Sequence, residues 1–152
     1  MSERIRCFFI GHRDTPDSVY PDLLRTVEEH ITKYGVTEFI VGHYGSFDFL
    51  AARAVTEVKT QHPGVVLTML LPYHPSERKI KLPEEFDGSW YPPEMETVPR
   101  RVAIVRANRC AACKRVPFLF YRGDNKNEEK TYPLSLLRRH GCPAGCKLCL
   151  RR

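Results

Sequence analysis

The order in which apolar segments follow one another is the feature that most restricts the fold of this chain. Three apolar runs of strand length, at residues 5–10, 39–42 and 65–71, are separated by two segments with the spacing of amphipathic helices. Strands that alternate with helices in this way favour a parallel sheet with right-handed crossovers. We therefore predict an α/β, Rossmann-like three-layer fold with a mostly parallel sheet, in which ligands bind at the carboxyl ends of the strands.

Both predicted helices have one apolar side. The first is predicted to end at Gly35, because glycine readily adopts the left-handed conformation that closes a helix. The apolar stripe of this helix, at helical spacing, consists of Leu23, Leu24, Val27, Ile31 and Tyr34. The second helix is predicted from residue 49 to about residue 61, with its apolar side facing the sheet.

The chain after the third strand is rich in proline and aromatic residues up to residue 96. Loops of this length without structure of their own are commonly functional or mobile. Its aromatic side chains, Phe86, Trp90 and Tyr91, either form a lid that stacks on a base or cover the edge of the sheet. Pro99 then opens a predicted helix, and the apolar run at residues 116–121 predicts a fourth strand.

Charge divides the chain into two parts. Residues 1–99 carry 10 Lys and Arg against 15 Asp and Glu, a net of −5, whereas residues 100–152 carry 14 against 3, a net of +11. Five of the six cysteines also fall in the second part. We predict a Rossmann-like domain over residues 1–122 and a basic, cysteine-rich tail over residues 123–152. Such a tail either binds nucleic acid or is a solvated, poorly ordered segment.

Hydrophobic content sets the expected compartment. No apolar run approaches the roughly 20 residues that a membrane-spanning helix needs. The apolar stretch near the N-terminus is too short for a secretory signal. We therefore expect a cytoplasmic protein without a membrane partner, in which cysteines remain reduced. Exposed sheet edges also favour self-association into a homo-oligomer.

Glycine-containing turns follow the first two predicted strands. Gly11 and His12 come directly after the first strand, and Gly42 and Gly45 follow the second. Both turns should lie at the same sheet edge, where glycine lets backbone N–H groups approach a ligand and a helix N-terminus adds positive potential. The alternative is that Gly42 and Gly45 form a tight turn with unusual dihedral angles.

Two charged side chains decide what these turns would bind. Arg13 either holds a phosphate through its forked guanidinium or forms a structural ion pair with Asp14 or Asp17. Asp48, in the first turn of the second helix, either caps that helix or holds the hydroxyl groups of a sugar. A ligand with both a phosphate and a ribose accounts for Arg13, the glycines and Asp48 together. The hypothesis is therefore a nucleotide or a related phosphorylated sugar.

Three segments of the sequence resemble one protein family. They are FFIGHRDTPD, then VGHYGSFDFLAARAV and, after the long loop, YPPEMETVPRRVAIVRANR. In this order and spacing, over roughly residues 5–109, they resemble the SLOG family. This is the Rossmann-like superfamily that includes the Lonely Guy phosphoribohydrolases and the DNA-processing Smf/DprA proteins. The similarity is greatest to its small, stand-alone bacterial members with a GHR motif.

The resemblance implies binding of a nucleotide or a nucleotide-derived ligand, in a sensing or regulatory role. The ligand loops of the family correspond to six residues here, Gly11, His12, Arg13, Gly42, Gly45 and Asp48. Arg100 and Arg101, at a helix start, would face the same pocket and add anion-binding charge. The alternative for these two is that they are ordinary solvated arginines.

The chain departs from the family in its catalytic motif and its ending. The enzymes of the superfamily cleave a base from a nucleoside monophosphate with a PGGxGTxxE motif, which this sequence lacks. We therefore assign no catalytic residue and favour binding, with a nucleoside-monophosphate glycosidase or hydrolase as the alternative. After Arg109, neither the glycine-rich loop nor the closing helix of the family is recognisable.

Four cysteines have the spacing of a zinc site. Cys110 and Cys113 form one CxxC pair and Cys146 and Cys149 a second, and four thiolates suit tetrahedral zinc. However, the first pair falls inside a predicted helix, and the segment between the pairs is longer than in a usual zinc ribbon. Free thiols and a tail translated out of frame are the alternatives. We predict neither a metal nor another cofactor.

Overall fold

Five short strands form one sheet in which every neighbouring pair is parallel. The computed structural model describes residues 4–113 and 118–121. In chain order the strands are β1 (Arg6–Gly11), β2 (Glu38–Val41), β3 (Val66–Leu70), β4 (Gly88–Trp90) and β5 (Phe118–Tyr121). Their order across the sheet is β4-β3-β2-β1-β5, so the chain first winds away from β1 and then returns to its other side. In such sheets, ligands bind outside the carboxyl ends of the strands, near this reversal.

Three α-helices connect the strands. They are α1 (Tyr20–Tyr34), α2 (Ser46–Lys59) and α3 (Ala103–Cys113). Short 3-10 turns, Asp17–Val19 and Arg100–Val102, precede α1 and α3. Gly35 ends α1 in the left-handed conformation, with φ 65°, as its position in the sequence predicted. The start of α2 differs from the prediction, because the helix begins three residues earlier, at Ser46.

The helices cover both faces of the sheet. On one face, side chains of α1 and α2 such as Val27 and Leu50 pack against Phe39 of β2 and Leu67 of β3 in one buried cluster. On the other face, the small side chains of α3 pack against the strands. These helix residues, together with their strand partners, are Ala103, Ala107, Ala111, Phe8, Ile40 and Leu70. The predicted α/β, Rossmann-like three-layer fold is therefore confirmed, with a sheet that is parallel throughout.

The predicted long loop contains an edge strand. β4 pairs with β3, with Trp90 opposite Leu70, and Asp87 just before it accepts a hydrogen bond from the Leu67 N–H at 2.8 Å. Phe86 is buried in the cluster under α1 and α2, and Trp90 packs against the cluster on the α3 side. Both aromatic rings therefore pack on the sheet in this structure.

The second part of the chain is described only as far as β5. The strand predicted at residues 116–121 is found as β5, which pairs with β1. The predicted tail over residues 123–152 lies outside the described residues. Across the described ranges, no helix is both long enough and apolar enough to span a membrane.

A buried polar cluster joins three strands on the α3 face. Glu38 is 5% exposed, and its carboxylate accepts hydrogen bonds from Arg6 Nε at 2.7 Å and from Thr68 Oγ1 at 2.8 Å. A buried carboxylate is costly unless it is paired and hydrogen-bonded, and here both oxygens have a partner. The cluster therefore links the first residues of β1 and β2 to the middle of β3, away from the carboxyl ends.

The absence of a side chain at Gly11 allows α2 to approach the end of β1. A Cβ atom at Gly11 would lie only 2.0 Å from Cγ of Phe47. The ring of Phe47 is fully buried, and its centroid lies 6.3 Å from that of Phe9. Gly11 is therefore needed for core packing at the first turn of α2.

We predict that Gly11→Ala destabilises the protein by about 2–3 kcal/mol or more, because an overpacked core must shift backbone or side chains. Urea unfolding would measure the change. The matched control is Gly64→Ala, since a Cβ at Gly64 would meet no atom within 4 Å. That variant should change stability by less than about 1 kcal/mol. Equal losses in the two variants would show that the Gly11–Phe47 contact is not the cause.

Candidate functional site

A cavity of about 290 Å³ opens at the carboxyl ends of β1, β2 and β3, beside α3. Most of its wall is apolar, formed by Ile10, Leu70, Pro72, Ile104 and Ala107. The polar side chains around it are those of Arg13, Tyr44, Asp48 and Asn108. Small-molecule sites commonly combine an apolar wall with a few convergent polar groups, and this volume lies near their lower limit.

Five of the eight residues predicted from the sequence line this cavity, namely Gly11, Arg13, Gly42, Gly45 and Asp48. His12 is exposed and does not line it. The His12 ring accepts a hydrogen bond from the Asp14 N–H at 3.2 Å, and its carbonyl accepts one from Thr15 Oγ1 at 2.7 Å. His12 therefore completes the hydrogen bonds of its own loop.

The two predicted arginines after Pro99 lie apart from the cavity. Arg100 and Arg101 are exposed residues of the 3-10 turn before α3. Arg100 instead lines a second, neighbouring cavity with Tyr73, and it forms a salt bridge with Glu77 at 3.6 Å. Arg101 lines neither cavity. The first cavity thus has one arginine, Arg13, in its wall.

The two glycine loops are tied to each other. The N–H of Ser46, the first residue of α2, donates a hydrogen bond to the carbonyl of Arg13 at 2.8 Å. A Cβ atom at Gly45 would lie 3.0 Å from Cα of Arg13, so a side chain at this position would press on the backbone of the first loop. Within the described ranges Arg13 forms no salt bridge, so its predicted pairing with Asp14 or Asp17 is not found. Its guanidinium remains available to an anion.

The glycines of the second loop serve close packing rather than unusual dihedral angles. A Cβ at Gly42 would lie 2.7 Å from Oδ2 of Asp48. Gly45 has an extended backbone, with φ −151° and ψ 170°. Among the residues that the structure describes, positive φ angles occur only at Gly35 and Glu94. The tight-turn interpretation of Gly42 and Gly45 is therefore wrong, because neither glycine is in the left-handed region.

The carboxylate of Asp48 folds back over the loop that precedes its helix. Its Oδ2 accepts a hydrogen bond from the Tyr44 N–H at 3.0 Å, and the carboxylate also interacts with the N–H of Gly45, the N-cap of α2. A carboxylate in the first turn that reaches back to these N–H groups stabilises the helix start. Asp48 therefore has the capping role that the sequence allowed, while it also lines the cavity.

Burial makes Asp48 a weaker acid than usual. Burial raises the pKa of this carboxyl group, against the opposing effects of the Tyr44 N–H, the charge of His43 and the Gly45 N–H. The pKa of Tyr44 is also raised, mainly by burial, although the positive charge of Arg78 acts in the opposite direction. The cavity is thus a partly desolvated environment in which charged and hydroxyl groups interact more strongly than in water.

Sequence reasoning missed two polar residues of the cavity. Tyr44 lies between the two glycines of the second loop, and Asn108 lies on α3. Neither belongs to a periodic pattern. Tyr44 could have been predicted as a site residue, because it lies inside a glycine turn at the end of a strand. For Asn108, the only indication in the sequence was its place in the motif after Pro99.

Of the four cysteines with the spacing of a zinc site, only the first pair lies within the described residues. Cys110 is buried in α3, and Cys113 is the last residue of that helix. Cys146 and Cys149 lie outside the described residues. Within residues 4–113 and 118–121, no group of three or more His, Cys, Asp or Glu side chains is arranged to hold a metal ion.

Comparison with known proteins adds no relative. No protein-family model, no curated protein and no solved structure matches this chain. The resemblance to the SLOG family therefore stays a prediction that rests on the three sequence motifs.

We predict that Asp48 makes the protein more stable at acidic pH. Because its pKa is raised above the ordinary 3.8, its contribution is fully present below that value and is lost as the pH rises through the folded-state pKa. The free energy of unfolding of the wild type, minus that of Asp48→Asn, should therefore fall as the pH rises from about 3.8. Urea unfolding at a series of pH values measures this difference.

Asp87→Asn is a control variant for which we expect the opposite pH dependence of stability. Burial alone would raise the pKa of Asp87, but the Leu67 N–H and the hydrogen bond and charge of Lys59 together lower it. The contribution of Asp87 should therefore be lost as the pH falls below 3.8. If both variants shifted the pH profile in the same direction, the environment described for Asp48 would be contradicted.

Proposed function

We propose that this protein binds a nucleotide or a related phosphorylated sugar in the cavity at the carboxyl ends of β1, β2 and β3, in a sensing or regulatory role. The observation that carries the proposal is that Arg13, from the loop after β1, and Asp48, from the first turn of α2, line one partly apolar cavity. The Ser46 N–H joins these two segments through its hydrogen bond to the Arg13 carbonyl. The resemblance of the sequence to the SLOG family supports the same class of ligand.

Arg13 provides the phosphate-binding end of the site. A guanidinium donates two parallel hydrogen bonds to a phosphate, which makes the pair both strong and directional. The carbonyl of Arg13 accepts the first N–H of α2, so the backbone that carries this side chain is anchored. The phosphate therefore lies at the first loop, beside the guanidinium of Arg13.

Asp48 provides the hydroxyl-binding end. A carboxylate repels phosphate but accepts hydrogen bonds from the hydroxyl groups of a ribose, as the acidic residue of dinucleotide-binding folds does. The N–H groups of Tyr44 and Gly45 hold the carboxylate in place. Its orientation is therefore set before a ligand binds, which reduces the entropy cost of binding.

The apolar wall accommodates the uncharged part of the ligand. Ile10 lies near the end of β1 and Leu70 at the end of β3, and Ile104 and Ala107 of α3 line the same cavity. A planar base or the carbon face of a sugar fits such a slot, since its burial is favourable and non-directional. The volume of about 290 Å³ favours a mononucleotide or a sugar phosphate over a larger molecule.

Binding should depend on both charged side chains, each with its own part of the ligand. We expect Arg13→Gln to weaken binding of nucleoside 5′-monophosphates and ribose 5-phosphate by about tenfold or more, without affecting the unphosphorylated nucleoside. Asp48→Asn should reduce the preference for a ribonucleotide over its 2′-deoxy form. Isothermal titration calorimetry on a nucleotide and sugar-phosphate panel measures both effects.

The control is Arg25→Gln, which removes one exposed arginine of α1 that pairs with Asp22. This variant has the same net charge as Arg13→Gln and should bind the panel like the wild type. The proposal is wrong if no member of the panel binds the wild-type protein, or if Arg13→Gln and Asp48→Asn both bind every ligand unchanged.

Cleavage of a nucleoside monophosphate is the second candidate function. Its supporting observation is that burial raises the pKa of Asp48, which is the direction that favours a general acid. Glu94 and Glu96, which precede the predicted arginines, are exposed and line neither cavity.

Release of free base from the nucleotide panel, followed by chromatography, distinguishes cleavage from binding alone. If the protein is an enzyme, Asp48→Asn should lower the rate by about a hundredfold or more, as expected when a general acid is removed. Base release that survives in Asp48→Asn would exclude this residue as the acid, and no release with intact binding would favour the sensing role.

The described residues neither support nor contradict nucleic-acid binding through the basic tail. The net charge of +11 over residues 100–152 is its only basis. It stays a prediction, as does self-association.

A further inference from the structure

We propose that the ligand carries a second anionic group, separated from the first, which binds in the neighbouring cavity between Arg78 and Arg100. This inference rests on the proposed function, because the first anionic group and the sugar occupy the cavity of Arg13 and Asp48. The proposal identifies the ligand class as a nucleotide or sugar with two separated phosphates.

The second cavity has a volume of about 260 Å³ and is lined by Tyr73, Glu77, Arg78 and Arg100. Tyr73 contacts the side chain of Arg78 and the backbone of Arg100. The guanidinium carbon of Arg78 lies 5.6 Å from the centroid of the Tyr73 ring, and the Tyr73 hydroxyl donates a hydrogen bond to the Arg100 carbonyl at 3.3 Å. Stacking on an aromatic ring leaves the edge of a guanidinium available to an anion.

The two cavities adjoin each other. Pro72 lines the first and Tyr73, the next residue in the chain, lines the second. Across the boundary, the ring of Tyr44 meets the ring of Tyr73 edge-on, with 6.4 Å between the centroids. The charge of Arg78 also acts on the pKa of Tyr44, so its positive field reaches the first cavity. One ligand can therefore extend from Arg13 past the two tyrosines to Arg78.

The charges of the second cavity favour an anion. Two guanidinium groups face one carboxylate, that of Glu77, which lies 3.6 Å from a terminal nitrogen of Arg100. In the part of the chain that the structure describes, Arg78 forms no salt bridge. A phosphate that enters the cavity binds Arg78 directly and competes with Glu77 for Arg100.

The Arg100–Glu77 pair contributes little to folding. The two side chains are 79% and 53% exposed, and exposed ion pairs of this kind add little to the stability of a protein. Substitutions at these positions should therefore leave the fold intact, so that their effects on binding can be interpreted.

The test compares ligands that differ only in the second phosphate. Calorimetry at constant ionic strength would compare adenosine and guanosine 5′-monophosphate with the corresponding 3′,5′-bisphosphates and 5′-diphosphates, and ribose 5-phosphate with ribose 1,5-bisphosphate. We expect one ligand with two separated phosphates to bind at least about tenfold tighter than its monophosphate. The 5′-diphosphate, whose phosphates are adjacent, should gain less.

Three variants test whether the tighter binding of ligands with two phosphates depends on the second cavity. Arg78→Gln and Arg100→Gln should each reduce this gain in affinity severalfold and together abolish it, while monophosphate binding falls by less than the gain does. Glu77→Gln should increase the gain, because it removes the competing carboxylate. Arg25→Gln is the control, since Arg25 is likewise an exposed arginine in a surface salt bridge.

Each outcome separates this inference from the function on which it depends. If a monophosphate binds but the matching ligand with two phosphates binds no tighter, the second site is overturned and the proposed function stands. A gain that persists in the double variant Arg78→Gln/Arg100→Gln also overturns the assignment. If no ligand of either kind binds, the proposed function itself fails, and this inference fails with it.

Discussion

The contact between Gly11 and Phe47 is the constraint on which the candidate site depends. Because Gly11 has no side chain, the ring of Phe47 packs directly on the end of β1 and is completely buried. This contact places the first turn of α2 against β1, where the Ser46 N–H reaches the carbonyl of Arg13. Core packing therefore positions the two loops that line the cavity.

The layers of the fold could be predicted from the sequence because parallel strands are buried on both faces. β1, β2 and β3 consequently occur as continuous apolar runs, and each lies within one residue of its predicted bounds. β4 could not be predicted in this way. Its three residues, Gly88–Trp90, contain no apolar run, and the strand forms through pairing with β3 and through Asp87, which accepts the Leu67 N–H.

The roles of the glycines could not be predicted, because a sequence does not show which atoms approach a residue without a side chain. Gly11, Gly42 and Gly45 were all assigned to ligand loops, and all three line the cavity. In each case, however, the atom that a side chain would approach most closely belongs to the protein itself, namely to Phe47, Asp48 or Arg13. Glycine in a loop at a strand end therefore indicates close packing first, and a ligand only when the neighbouring polar groups converge on a cavity.

The hydrogen bonds of the second loop also restrict how the proposed ligand would lie. Tyr44 and Gly45 direct their N–H groups to Asp48, and Ser46 directs its N–H to Arg13, so these donors at the start of α2 already have partners. A phosphate at this loop would find few free N–H groups and would be repelled by the carboxylate of Asp48. In the proposed binding mode, the anionic end of the ligand is therefore held by a guanidinium group, whose attraction for an anion depends on salt more than that of buried backbone donors. The proposal thereby accounts for a carboxylate in the first turn of α2 beside a phosphate site. Asp48 caps the start of the helix and would bind the sugar, while Arg13 would bind the phosphate.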